Sequence, residues 1–125
     1  MFKLLLIGTG GFIGSVMRYV AGGLIFRILR KPYFPYGTLI VNVFGCFLIG
    51  FISGLSENRQ LFSTETRTFI FIGLLGGFTT FSTFGYEVFN FARDGQITSS
   101  LSNLFLHIIL GVGSVWFGDS MSKLL

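Results

Sequence analysis

The chain has 125 residues, of which 51% are hydrophobic and only 11% are charged. Ordinary soluble domains carry roughly 25% charged residues, so this composition excludes a water-soluble globule with a charged surface. The one cysteine, Cys46, cannot form an intramolecular disulfide and is expected to pack as a small apolar residue. We therefore expect an integral membrane protein.

Four long stretches of the chain contain no Lys, Arg, Asp or Glu, namely 4–17, 32–56, 68–86 and 95–118. A helix needs about 20 mostly apolar residues to cross the ~30 Å hydrocarbon layer. The last three stretches approach or reach that length, and the first does so if Arg18 lies within the membrane. The sequence thus predicts one all-α domain over 1–125, with spans at about 4–26, 36–56, 68–92 and 98–121.

The N-terminus also resembles a signal peptide, because Lys3 precedes an apolar run. However, the run continues beyond Arg18, and no A-x-A-like cleavage site precedes a mature domain. These two features favour a helix that remains part of the protein.

Positive charges are divided evenly between the two sides of the expected membrane. One side carries Lys3, Arg59, Arg67 and Lys123, and the other carries Arg27, Arg30, Lys31 and Arg93. Orientation normally follows an excess of Lys and Arg in cytoplasmic loops, which is missing here. We therefore expect insertion in both orientations, which permits an antiparallel dimer.

The first span contains GGFIGSVMRY at 10–19. The spacing of Gly8, Gly11 and Gly14 imitates a nucleotide-binding loop, but no βαβ unit surrounds it. Close helix packing through Gly10-x-x-x-Gly14 is the better interpretation. Arg18 has two interpretations: it attracts anions to a vestibule, or it snorkels to the interface or pairs with Glu87.

In the second span, Thr38 and Asn42 are four residues apart and share one helix face. An amide at this depth must find partners, because an unsatisfied one costs several kcal/mol in hydrocarbon. Asn42 is therefore either a structural hydrogen-bonding group between helices or a pore amide whose NH₂ donates to a passing anion.

The third span contains GLLGGFTTFSTF at 73–84. Two glycines followed by two β-branched threonines are poor helix formers, so we expect a break near 76–80 that frees backbone carbonyls. Such oxygens suit a hard cation such as Na⁺. Beyond the break, Phe81 and Phe84 are expected to face one way, either as ordinary packing or as rings whose positive edges stabilise an anion.

The fourth span carries a polar and small stripe that should face the bundle, composed of Ser100, Asn103, His107, Gly111, Ser114 and Gly118. A histidine in such a stripe is more often a packed, hydrogen-bonded residue than a proton relay. The chain shows neither a Cys/His/carboxylate metal cluster nor a supported Ser-His-Asp set, so we expect no enzymatic activity.

Three segments together resemble the Fluc (CrcB) family of fluoride channels: GGFIGSVMRY at 10–19, GTLIVNVFGCFLIG at 37–50 and GLLGGFTTFSTFGYE at 73–87. The resemblance implies passive fluoride efflux through two pores of an antiparallel, dual-topology homodimer with one structural Na⁺ at its centre. It also implies a location in the plasma (inner) membrane, with fluoride, a second copy and the lipid bilayer as partners and no nucleic acid.

The same resemblance assigns roles to individual residues. The implied anion pore consists of Asn42, Phe81, Phe84, Thr38, Ser82 and Thr83. The implied Na⁺ ligands are the backbone carbonyls of Gly76 and Thr79, and Arg18 matches the first-helix arginine of the family. On the fourth helix the family often has a hydroxyl one turn after the histidine, where this chain has Leu110 and Gly111, so no pore residue is assigned there.

Two other functions compete with a channel. A small dual-topology cation or multidrug exporter would need a membrane-embedded carboxylate, and the first three spans offer only Glu87, near the end of the third. A structural membrane subunit would leave Asn42 and the unusual third span with packing roles alone.

Overall fold

A computed structural model describes residues 1–30 and 32–125; Lys31, one of the charges counted above, lies outside the described residues, as does the side chain of Asn58. Within this part of the chain the structure is wholly helical. Its elements are α1 (Phe2–Ile28), α2 (Tyr36–Arg59), α3 (Thr64–Arg67), a π-helix (Thr68–Leu75), α4 (Gly76–Phe78), α5 (Phe81–Arg93) and α6 (Ile97–Ser122).

Four segments are long and apolar enough to cross a membrane: Phe2–Ile28, Tyr36–Glu57, Thr64–Arg93 and Ile97–Ser122. The prediction of an all-α protein with four spans is thereby confirmed. The helices extend a few residues beyond the predicted ends. Basic residues occupy the last turns of α1, α2 and α5, where a positive charge is favourable beside the helix C-terminus.

The described surface is largely apolar, as expected for a protein surrounded by lipid tails. Among the large apolar residues that the structure describes, only Leu39, Val41, Leu75, Phe78 and Phe84 are buried. Many others, such as Phe12, Ile72 and Trp116, are more than half exposed. Because lipid tails exert no hydrophobic drive between helices, packing has to come from close backbone approach and polar contacts.

The first half of the third span, Thr64–Phe78, packs against α1. A Cβ atom at Gly14 would overlap the Leu74 carbonyl oxygen, and one at Gly77 would lie 2.6 Å from the Gly11 carbonyl oxygen. Both distances are too short for any side chain, so the backbones touch directly. The predicted packing role of Gly10-x-x-x-Gly14 is confirmed.

Helices α2 and α6 form a second close pair. Here too a Cβ atom at Gly50 or Gly118 would overlap a backbone carbonyl of the opposite helix. On α6, Ser100, Asn103, Gly111 and Gly118 are buried, which confirms that the polar and small stripe faces the bundle. α5 in turn packs on α6, and the Ser100 hydroxyl donates to the Val88 carbonyl at 2.8 Å.

The backbone of the third span changes direction between α4 and α5. Thr79 (φ −88°, ψ 157°) and Thr80 (φ −149°, ψ 115°) are both extended. Thr80 then caps α5, because its hydroxyl accepts a hydrogen bond from the Thr83 N–H at 3.3 Å. The preceding π-helix, Thr68–Leu75, is itself unusual, since π-helical segments are rare and often lie near functional sites.

Candidate functional site

Asn42 of α2 is bonded to both backbone groups of Thr80. Its Nδ2 donates to the Thr80 carbonyl at 3.0 Å, and its Oδ1 accepts from the Thr80 N–H at 2.8 Å. The amide thus pairs with the extended residue as a neighbouring β-strand would. Of the two roles predicted for Asn42, the structure shows the interhelical hydrogen bonds. An amide has two N–H donors, so one of them remains available for the pore role.

The same bond changes the hydrogen-bonding pattern of the third span. In a continuous helix the Thr80 N–H would donate to the Gly76 carbonyl, but here it donates to Asn42. The carbonyl of Gly76 therefore loses its usual donor. Gly76 is also exposed on the surface of the chain, and a Cβ atom there would meet only the Phe71 carbonyl oxygen at 3.5 Å.

Arg18 of α1 contacts the same region from another side. Its Nη1 donates to the Thr79 carbonyl at 3.3 Å, and the bond is partly buried. The alternative of an Arg18–Glu87 ion pair is not found among the described residues: Glu87 Oε1 accepts a hydrogen bond of 2.5 Å from the Thr38 hydroxyl, and Oε2 has no partner there. Arg18 and Asn42 together supply side-chain partners to the carbonyls of Thr79 and Thr80.

Phe81 and Phe84 contact each other but differ in burial. Their ring centroids are 5.5 Å apart, with an interplanar angle of 68°. Phe81 is 81% exposed and Phe84 only 7%. The two rings meet, as side chains three residues apart on one helix can. They differ in burial because the Phe84 ring also contacts that of His107 on α6, with centroids 4.2 Å apart.

Two of the three hydroxyl groups of the predicted pore lie at the start of α5, and the third, that of Thr38, lies on α2. Ser82 and Thr83 are exposed, and each of their hydroxyls lies within hydrogen-bond distance of the Thr80 hydroxyl, at 3.3 Å and 3.1 Å. Together with Phe81 they form a polar and aromatic strip on the outside of a membrane-spanning chain. Lipid tails offer no hydrogen bonds to such a strip.

An open cavity of about 1030 Å³ lies beside this strip, at the end of the molecule that carries residues 32–35 and 94–96. We call it the vestibule. The residues that line it include Arg18, Thr38, Thr80, Thr83 and Glu87. Of the seven residues predicted for the anion route, three line this cavity, namely Arg18, Thr38 and Thr83, and neither Ser82 nor Phe84 does. Asn42 and Phe81 are not among the residues that line it; they lie at the strip, beside Thr80.

Sequence reasoning left three polar residues of this region without a functional role. Asn103 on α6 is completely buried, and neither of its amide atoms has a partner among the described residues. The same holds for Glu87 Oε2 and His107 Nε2. Asn103 and His107 belong to the polar stripe of the fourth span, which signalled that they face the bundle, but spacing along one helix does not reveal which residues of α5 they meet.

Comparison with known proteins identifies the family. Residues 5–119 match the family model described as "CrcB-like protein, Camphor Resistance (CrcB)". A protein from Chlorobium phaeobacteroides named fluoride-specific ion channel FluC is 45% identical over 97% of this chain and 93% of its own length.

Two further relatives agree. FluC 3 from Methanosarcina barkeri is 42% identical over 98% of this chain and 91% of its own length. FluC from Methylobacillus flagellatus is 36% identical over 99% of this chain and 97% of its own length. Both names describe fluoride-specific ion channels, not enzymes. The match to the family model and the similarity over nearly the whole chain show that this multi-pass membrane protein belongs to the CrcB-like family.

Proposed function

We propose that the protein is a fluoride channel that lets fluoride leave the cell passively across the plasma membrane and so lowers its cytoplasmic concentration. The relatives carry that function in their names. The single observation that carries the proposal is the exposed strip of Phe81, Ser82 and Thr83 beside the vestibule. This strip combines hydroxyl donors with an aromatic ring edge, which is the chemistry that a small anion requires.

The pathway is completed by a second copy in antiparallel orientation. The strip is on the outside of the chain, and its exposed hydroxyl groups, which among the described residues bond only to the Thr80 hydroxyl, would find no further partner among lipid tails. Another protein surface should therefore cover it. A two-fold pair repeats every contact, which gives two strips and hence two pores. The balanced positive charges on the two sides of the chain support insertion in both orientations.

Orientation is tested with reporter fusions at the C-terminus. The wild type should place the reporter on both sides of the membrane, and two or three lysines added after Leu125 should shift it towards one side. A wild type that inserts in a single orientation contradicts the antiparallel dimer.

At the centre of this dimer we place one Na⁺ on the carbonyls of Gly76 and Thr79 from both copies. The residues fit this ion: Gly76 is exposed, its carbonyl has lost the Thr80 donor, and a carbonyl oxygen has a second lone pair even where Arg18 occupies the first. Bound there, the ion would satisfy backbone oxygens in a dry interface. The proposed Na⁺ ligands are backbone carbonyls, so the side chain of Thr79 is not required.

Substitutions at Gly76 and Gly77 separate an effect on the proposed dimer interface from an effect on packing within one chain. A side chain at Gly77 collides with α1, whereas one at Gly76 finds space within the protomer. Gly76→Leu should therefore preserve the fold of the chain but prevent dimer formation, as measured by gel filtration in detergent with and without Na⁺. A Gly76→Leu dimer with wild-type stability and flux contradicts the central cation site.

Within each pore, the chain's own groups replace the water around fluoride. We assign the second N–H of Asn42 and the hydroxyls of Ser82 and Thr83 as donors, and the edges of Phe81 and Phe84 as weak, positively polarised contacts. The Thr38 hydroxyl joins these donors when its bond to Glu87 opens, because its single proton is used in that bond. Arg18 at the vestibule raises the local concentration of anions. Ring edges bind weakly, which suits a conducting site because the ion must also leave.

Flux through purified protein in liposomes tests the proposal. Fluoride efflux that far exceeds chloride efflux is expected, without a requirement for a proton gradient. Exchange of an organic cation for protons would instead indicate the exporter, for which Glu87, beside the vestibule, would be the required carboxylate. Protein that assembles but carries neither ion would indicate a structural subunit.

A further inference from the structure

Three aromatic rings form a continuous row from the interior of the chain to its surface. The His107 ring lies 4.2 Å from that of Phe84 at an interplanar angle of 30°. Phe84 meets the exposed Phe81 ring in a T-shaped contact. His107 is thus the residue on which the buried member of the predicted pore pair rests.

His107 is itself held in one orientation by its own helix. Its Nδ1 lies 3.0 Å from the Asn103 carbonyl. A carbonyl oxygen only accepts hydrogen bonds, so this contact requires the proton on Nδ1. In the neutral ring Nε2 then carries a bare lone pair, and this atom is buried without a partner among the described residues. Asn103, which supplies the carbonyl, is fully buried and provides a fixed support.

We infer that His107 is a positioning residue, which sets the tilt of Phe84 and thereby the ring edge that Phe84 presents along the anion route. An aromatic ring has a negative face and a positive edge. While the His107 ring covers one face of Phe84, that negative face is hidden from an anion. Without the His107 ring, Phe84 can tilt into the vacated space and expose its face. This inference rests on the proposed channel function and on the role of Phe84 in it.

Two substitutions of His107 separate the effect of its aromatic ring from the effect of its side-chain volume. His107→Phe keeps an aromatic face for Phe84, whereas His107→Leu keeps apolar bulk without a ring. We expect His107→Phe to retain fluoride flux within about twofold of wild type and His107→Leu to lose about three- to tenfold, the range that one aromatic contact supplies. Equal flux from the two variants would overturn the positioning role.

A double-mutant cycle with Phe84→Ile tests whether His107 acts through Phe84. In the Phe84→Ile background, His107→Leu should cause no further loss of flux. An unchanged three- to tenfold loss in both backgrounds would overturn the inference. If His107→Leu does not assemble, His107→Gln takes its place in the cycle, because it also removes the ring and carries the same expectations.

The same measurements separate this inference from the channel proposal. Absence of fluoride flux from the assembled wild type would refute the channel itself. Wild-type flux from Phe84→Ile would refute the role of Phe84. A loss with Phe84→Ile but none with His107→Leu would refute the positioning role of His107 alone.

Discussion

The two halves of the third span face different partners and are built from different chemistry. The first half, Thr64–Phe78, is apolar from Phe69 onwards and touches α1 through glycine backbone. The second half, Phe81–Arg93, touches α2 and α6 through side chains, with Glu87 bonded to Thr38 and the Phe84 ring in contact with that of His107. The difference suggests that one half fixes the position of the span in the bundle and the other supplies chemistry to the proposed pore.

The largest effect should come from disrupting the glycine contact of the first half. In Gly14→Leu the new side chain would meet the Leu74 carbonyl oxygen, which no rotamer avoids because the obstacle is backbone. Overpacking of this kind costs at least the ~1–3 kcal/mol found in soluble cores. We expect no assembled protein on gel filtration.

Gly8 provides the matched control on the same helix. A Cβ atom at Gly8 has nothing within 4 Å, so Gly8→Leu should assemble like the wild type. Equal recovery of the Gly8→Leu and Gly14→Leu proteins would mean that the glycine contact does not hold the first half in place.

The next effect should come from Asn42, which links α2 to the second half. Asn42→Asp can still accept from the Thr80 N–H, but it cannot donate to the Thr80 carbonyl and places a carboxylate against it. Loss of a buried hydrogen-bond donor costs about 1–3 kcal/mol, or roughly 5- to 150-fold in a rate. Fluoride flux per assembled dimer should fall by a factor in that range or by a larger one. Wild-type flux from Asn42→Asp would show that Asn42 serves packing and not conduction.

Phe84→Ile should have a smaller effect than Asn42→Asp. It removes the ring edge but keeps apolar bulk against α6, so the fold should survive and flux should fall about three- to tenfold. A drop in dimer recovery that equals the drop in flux would show that Phe84 serves stability and not conduction.

Thr79→Ser should have the smallest effect. The proposed cation contact and the bond from Arg18 both use the Thr79 carbonyl, and the serine hydroxyl can replace the threonine hydroxyl in its 2.9 Å bond to the Leu75 carbonyl. We expect flux within about fourfold of wild type, since only one methyl group is removed and its burial contributes roughly 0.8 kcal/mol. A severe loss would place the threonine side chain itself in the site.

The four spans could be predicted from the sequence because uncharged length and glycine spacing are properties of single helices. The positions of Gly10 and Gly14 and the inward stripe of α6 follow from helical period alone. The relation between Phe81 and Phe84 could not be predicted, because their different burial depends on His107 of another helix. The bonds of Asn42 and Arg18 to the Thr79–Thr80 segment likewise join residues that are distant in sequence.

One ratio tests the central claim most directly: fluoride efflux from liposomes by Phe81→Ile divided by that of Phe78→Leu, each normalised to dimer recovered on gel filtration. The two phenylalanines lie on either side of Thr79 and Thr80, with Phe78 at 5% exposure and packed near Phe44, and Phe81 at 81%. The account predicts near-wild-type flux for Phe78→Leu and a loss of about three- to tenfold for Phe81→Ile. Equal flux from both assembled dimers would contradict it.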